Sequence, residues 1–173
     1  MKILVLSDSH GRPDKISKAL RLQGNTIDCV LFLGDGVYDT KLCRSDLGSI
    51  PLISVDGNHE DATRVFLSDA GTGSEALLDL EGYKILMIHG HKHGVKADPM
   101  RAVSYAYSRG ADILLFGHTH TPFDKYYPEG TELERGVSER GIYAFNPGSI
   151  ALGSAGILEL RKNGVLTGHF TLR

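Results

Sequence analysis

Five short aliphatic runs, ILVL, CVLFL, LISV, ILMI and ILLF, each give way within a few residues to a metal-ligating side chain. Asp8 and His10 follow the first run in SDSHG, Asp35 the second in LFLGDG, and Asn58 the third in GNHE. His89 follows the fourth in MIHGH, and His118 and His120 the fifth in FGHTH. Runs of four or five aliphatic residues closed by glycine and polar residues read as buried strands. In a sheet covered on both faces, ligands collect just beyond the carboxyl ends of the strands. Five such ends supplying Asp, His and Asn to one rim predict a metal site.

Around these runs the pattern alternates at first. Strands are expected at 2–8, 28–34 and 51–56. Helices are expected at 13–22, with Ile16, Ala19, Leu20 and Leu22 on one side, near 38–46, and near 60–68 with Ala62, Val65 and Phe66. The second half turns to hairpins: 76–81 with 83–88 through Glu81-Gly82, then strands at 112–116, 141–145, 155–160 and 164–172, the last pair turning at Asn163-Gly164. Between them a helix at 99–109 is capped by Asp98, opened by Pro99 and closed by Gly110. The stretch 124–140 carries the weakest pattern and reads as a surface loop or an irregular hairpin arm. Parallel β-α-β units followed by hairpins give an α/β fold of two mixed sheets packed face to face with helices outside.

At 173 residues the chain is expected to form a single domain, 1–173, able to bury its own core. The 19 basic and 21 acidic residues give a net charge of −2, which argues against a dedicated nucleic-acid surface. Cys29 and Cys43 have no partner at metal spacing and read as free thiols of a reducing compartment. No run resembles a signal-peptide core or a membrane span, so a cytoplasmic protein is expected.

Asp and Asn offer hard oxygens and His a borderline nitrogen. A mixed set without thiolate suits manganese, iron, zinc or nickel better than magnesium or calcium alone. Seven ligands exceed the four of a structural zinc site. They fit two ions sharing one carboxylate, and Asp35 is the natural bridge because it ends the second strand between two ligand-bearing neighbours. Two-metal sites hold their ions ~3.5–4 Å apart and clamp the attacking and leaving oxygens of a displacement at phosphorus. In formal charge, two divalent ions, two carboxylates and a hydroxide leave a site matched to a monoanionic phosphodiester. His59, one position after Asn58, points elsewhere into the pocket and can stabilise or protonate a leaving oxygen.

Taken in order, Asp8-Ser9-His10, Gly34-Asp35, Gly57-Asn58-His59-Glu60, His89 and Gly117-His118-Thr119-His120 resemble the motifs of the calcineurin-like metallophosphoesterases. Asn146-Pro147-Gly148-Ser149 resembles the small prokaryotic phosphodiesterases within that family. The resemblance implies a four-layer αββα sandwich and a dinuclear site. One ion would be held by Asp8, His10, Asp35 and His120, the other by Asp35, Asn58, His89 and His118, with His59 as the catalytic histidine. Two divalent transition metal ions are expected, manganese first, with nickel, iron and zinc as alternatives. The wider family's protein phosphatases read G-D-x-x-D-R. Here Tyr38 stands at the carboxylate that orients the catalytic histidine, and the phosphate-clamping arginine is missing. Asp39 and Asp61 are the available stand-ins, and a phosphoprotein substrate is disfavoured.

The expected activity is hydrolysis of small phosphodiesters by a metal-activated hydroxide, with a homo-oligomer possible and no membrane partner. One alternative is a phosphomonoesterase using the same site. Another is a non-catalytic protein-binding scaffold, similar to the retromer subunit of this fold, in which the catalytic histidine is lost. Elsewhere, His93 reads as a surface residue, His169 as structural or exposed, and Asp56 as a turn aspartate. Tyr105 and Tyr107, two apart on one helix, cannot share a face.

Overall fold

The apolar runs become strands of two mixed sheets. A computed structural model of the chain describes the backbone of residues 1–63 and 73–173 and the side chains of 1–60 and 73–173. The first sheet contains β1 (Lys2–Leu6), β2 (Cys29–Phe32), β3 (Leu52–Ser54), β9 (Ser154–Arg161) and β10 (Gly164–Thr171), in the order β10-β9-β1-β2-β3. The second contains β4 (Glu75–Leu80), β5 (Tyr83–Ile88), β6 (Ile113–Leu115), β7 (Phe123–Tyr127) and β8 (Ile142–Asn146), in the order β4-β5-β6-β8-β7. β1, β2 and β3 run parallel, as do β5, β6 and β8, while the hairpin strands at the margins are antiparallel.

The alternation of side chains along each strand builds the layers. In β1, Ile3 and Val5 enter the core between the sheets, where they meet Leu31, Leu33, Ile85, Met87, Leu115 and Phe145. Leu4 and Leu6 face the opposite way, against α1 (Pro13–Gln23), α2 (Val37–Leu42) and α3 (Arg44–Leu47), packing with Ile16, Leu20, Phe32 and Leu47. Across the molecule, Leu86, Ile88, Leu114 and Phe116 receive Ala102, Val103 and Ala106 of α5 (Met100–Ser108). Helix, sheet, sheet and helix therefore stack as four layers, and the three cores explain why the parallel strands are apolar on both faces.

The expected caps of α5 form. Asp98 accepts the Met100 N–H at 2.9 Å, and Gly110 leaves the helix at φ 75°. Glu81 and Gly82 turn the β4–β5 hairpin with φ 52° and 80°, the left-handed pair of a type I′ turn.

Other boundaries differ. The helix expected near 38–46 is broken at Cys43 into α2 and α3. Within 124–140, the hairpin arm, one of the two readings of this stretch, forms as β7, an edge strand paired antiparallel with β8. Its exposed Asp124, Lys125 and Tyr126 hide the apolar alternation. The remainder is closed by a single bridge between Glu132 and Val137. The last hairpin turns on Lys162-Asn163 rather than Asn163-Gly164, because Gly164 already pairs with Arg161. Of the helix expected near 60–68, residues up to Thr63 lie in α4 (Asn58–Thr63), and positions 64–68, with Val65 and Phe66, lie outside the described residues. Among the described residues no helix is long and apolar enough to cross a membrane. Cys29 and Cys43 are buried free thiols.

Candidate metal centre

All seven expected ligands meet where β1, β2, β3, β5 and β6 end. The Asp and His donor atoms among them, together with His59, fall into overlapping groups, Asp8 with His10 and His120, His10 with Asp35 and His59, and Asp35 with His89 and His118, each within 4.8 Å. In the first group His120 Nε2 lies 3.2 Å from Asp8 Oδ1 and 3.1 Å from His10 Nε2. In the last, His89 Nε2 lies 3.4 Å from Asp35 Oδ2, 3.2 Å from His118 Nδ1 and 3.2 Å from Asn58 Oδ1. Asp35 Oδ2 is also 3.9 Å from His10 Nε2 and 3.8 Å from His59 Nε2, so this carboxylate stands between the two halves.

The backbone there is unusual. Among the described residues six non-glycines have positive φ. Apart from Glu81 of the hairpin turn they are Asp8 at 56°, His10 at 44°, Asp35 at 57°, His118 at 65° and His120 at 59°. Each such residue costs about 1–3 kcal/mol and persists only where its surroundings over-determine it. Strain gathered on the residues that share a cluster points to function.

The surroundings are visible. Ser149 Oγ donates to the Asp8 carbonyl at 2.9 Å, and the Ile150 N–H donates to the Ser7 carbonyl at 2.9 Å. Asn146, fully buried, donates through Nδ2 to the Gly117 carbonyl at 2.9 Å and to Thr119 Oγ1 at 3.0 Å. The 146–149 turn thus lashes the loop of His118 and His120 to the loop of Asp8 and His10. His169 Nε2 lies 2.7 Å from the Asn146 carbonyl and its ring stacks on Phe145, so it is structural.

The electrostatics suit cations. Burial pushes the Asp8 carboxyl up, against the pull of His89. Burial also opposes ionisation of Asp35, but the hydrogen bond and charge of His89 and the His59 N–H outweigh it, holding Asp35 well below the usual carboxylate range. His89, which burial would deprotonate, is instead raised by Asp35 and Asp8. Burial, then His89 and Lys96, push His118 down to about 4. His89 Nδ1 lies 2.7 Å from the Leu33 carbonyl, which fixes Nδ1 as the donor and frees Nε2 for coordination. Asp8 Oδ1 is buried with no hydrogen-bond partner, and paired imidazole nitrogens face one another at 3.1 and 3.2 Å. An orphaned carboxylate oxygen among converging lone pairs is a donor set that divalent cations fit.

His59 sits at this rim with its side chain 62% exposed, and its N–H donates to Asp35 Oδ1 at 2.9 Å. Asp39 does not serve it: Asp39 Oδ2 accepts from Ser9 Oγ at 2.6 Å and from the Gly11 N–H at 2.8 Å. The Asp61 side chain lies outside the described residues. His91 lies near the centre, its ring 5.4 Å from His89 and 6.1 Å from His118. His93, expected on the surface, is half-buried with its ring 4.8 Å from Tyr105. Tyr105 bonds Glu75 while Tyr107 accepts the Glu139 N–H, so the two tyrosines do serve different faces. Asp56, taken for a turn residue, is fully buried. Reading residues by type missed Asn146 and Glu60 as braces. Glu60 had one available signal, its place three residues after Gly57 at the start of a helix.

Comparisons with known proteins agree with this fold. A probable metallophosphoesterase of Bacillus subtilis, YsnB, is 31% identical over 152 residues, covering 88% of this chain and 76% of its own. An archaeal phosphodiesterase shares the fold at a TM-score of 0.68 and 19% identity, covering 98% of this chain and all of the other. So does a Vps29 variant from Entamoeba histolytica, at 0.66 and 21% identity over the whole of both chains. Residues 1–162 match the calcineurin-like phosphoesterase superfamily domain, and the chain belongs to that family.

Proposed function

We propose that this chain is a metal-dependent phosphodiesterase acting on small phosphodiesters, with Asp8, His10, Asp35, Asn58, His89, His118 and His120 holding two divalent transition metal ions. The observation that carries this reading is Asp35, shared by two donor groups, one with His10 and His59 and one with His89 and His118, while Asp8, with its orphaned Oδ1, groups with His10 and His120. When bound, such ions supply Lewis acidity to a water nucleophile and to the phosphate oxygens. The chain's own residues do the rest. Leu33 holds the His89 tautomer, the 146–149 turn holds the two flanking loops in register, and Asp35 ties the His59 backbone beside the centre. From there the His59 imidazole gives a proton to the leaving oxygen. The net charge of −2 favours small diesters over long nucleic acids.

The test is metal-stripped protein reloaded separately with manganese, nickel, iron and zinc, assayed on bis-nitrophenyl phosphate and nitrophenyl phosphate. Faster turnover of the diester is expected, with manganese the best activator. Faster turnover of the monoester would move the assignment to a phosphomonoesterase. The likeness to Vps29 keeps a scaffold role as the second reading. A protein that takes up metal but turns over neither substrate would favour it.

A further inference from the structure

Among the described residues, Glu60 accepts an unusual number of backbone hydrogen bonds. Its carboxylate is buried and takes four N–H groups: Asp35 at 2.8 Å, Gly36 at 2.7 Å, Val37 at 2.9 Å and Gly57 at 2.7 Å. Only the Gly57 bond belongs to capping its own helix, the return bond of a capping box. The other three come from a loop 23 to 25 residues upstream. Gly34, Asp35 and Gly36 all have positive φ, at 91°, 57° and 137°. Successive N–H groups in such a conformation converge on one point and form a concavity for an anion. In many proteins a ligand fills that concavity; here the chain fills it with its own carboxylate. The approach is close, since a Cβ on Gly57 would lie 2.2 Å from Asp35 Oδ1.

This arrangement fixes which oxygen of Asp35 is available. Glu60 holds the Asp35 backbone, the His59 N–H engages Oδ1 at 2.9 Å, and Oδ2 is left facing His10, His59 and His89. Glu60 also stands two residues after Asn58 in α4 and bonds Gly57 immediately before it. One carboxylate therefore sets the relative position of Asp35 and Asn58, which no described side chain of the Asp8, His10 and His120 cluster does.

We infer that Glu60 is a positioning residue for the second ion, the one assigned to Asp35, Asn58, His89 and His118, acting through the Asp35 and Asn58 loops without touching metal or substrate. The inference rests on the ligand set proposed above. Replacing Glu60 by Gln keeps the size but leaves one oxygen for four N–H donors and turns an NH₂ group towards them. Glu60→Asp keeps both oxygens and the charge.

The experiment is titration of metal-free protein with cobalt(II), followed by ligand-field absorption, on wild type, Glu60→Gln, Glu60→Asp and Asn58→Ala. Asn58→Ala identifies the signal of the second ion. Loss of a group that orients a metal ligand typically weakens affinity ~10–100-fold. Glu60→Gln is expected to weaken the ion that Asn58→Ala weakens by that factor, to weaken the other ion less because it shares only Asp35 of the two positioned ligands, and to regain much of the loss in Glu60→Asp. Melting of the metal-free proteins runs alongside. A Glu60→Gln protein with a lower melting temperature but unchanged cobalt affinities would make Glu60 merely structural and overturn the inference, as would equal weakening of both ions. If Glu60→Gln does not fold, Glu60→Asp carries the test, and an affinity loss confined to the same ion is the supporting result. A wild-type protein that binds no cobalt overturns the ligand set and this inference together, whereas two ions bound equally well by wild type and Glu60→Gln overturn this inference alone.

Discussion

Ser9 Oγ donates to Asp39 Oδ2 at 2.6 Å, so the carboxylate nearest in sequence to the GDG motif is spent on the turn that carries His10. With Asp39 occupied, His59 reaches the centre through its N–H bond to Asp35 and an exposed ring. A histidine held in this way can turn towards a leaving group beside the Asp35 carboxylate, whose Oδ2 lies 3.8 Å from its Nε2.

His59→Ala is accordingly expected to retain both metals, because Asn58 and not His59 is the proposed ligand. Its kcat should fall ~10²–10⁴-fold on an alkyl diester whose leaving oxygen needs a proton. The loss should shrink on a nitrophenyl diester, whose leaving group departs unprotonated. Kinetics of both substrates at matched metal content provide the check. Equal losses would assign His59 to transition-state binding instead.

Asp35→Asn should lose more metal than His120→Ala under identical loading. The Asp35 carboxylate stands between two clusters, so neutralising it weakens both, while His120 belongs to one. Elemental analysis after dialysis compares them. Retention of two ions in Asp35→Asn would assign the bridge to another group.

Asn146→Ala removes a buried amide whose two N–H bonds reach Gly117 and Thr119 and whose oxygen accepts the Gly148 N–H at 2.8 Å. Leaving buried partners unsatisfied costs about 1–3 kcal/mol. Urea unfolding of the metal-free protein should show a loss of that size, and an unchanged midpoint would show that water replaces the amide.

Away from the centre, Glu75 joins β4 to α5 through the Tyr105 hydroxyl at 2.7 Å and the Arg109 guanidinium. Burial favours its neutral form, but those two donors win, and the folded carboxyl titrates below its ordinary value. A lowered carboxylate pKa stabilises the fold above the unfolded value, about 4.3, and the gain disappears as pH falls through the folded value. The melting-temperature advantage of wild type over Glu75→Gln should therefore be constant above about pH 5.5 and narrow towards pH 3. An advantage that does not change with pH would mean the cluster works by packing alone.

The strand ends were legible because an aliphatic run followed by a ligand needs no partner to be recognised. Two sheets with helices outside followed from the β-α-β units and the hairpins after them, and the family resemblance supplied the four-layer order. β7 was legible only as one of two readings, because an edge strand with Asp124, Lys125 and Tyr126 in solvent carries no alternation to read. The break at Cys43 follows no glycine or proline and leaves the sequence pattern intact. Glu60 and Asn146 escaped for another reason. Each acts on backbone groups of distant loops, Asp35 to Val37 in one case and Gly117 in the other, and a backbone N–H or carbonyl is the same in every residue.

The five left-handed residues proposed as ligands also govern how the protein would respond to engineering. A non-glycine at those positions burdens the fold, so exchanging one for glycine relieves the backbone while deleting a donor atom. Stability and chemistry are thereby set against each other at the same few positions, a trade seen wherever a site is built on strain. A library selected only for heat resistance would drift towards well-behaved proteins with an eroded centre, and any stabilisation campaign on this chain has to hold Asp8, His10, Asp35, His118 and His120 fixed from the outset.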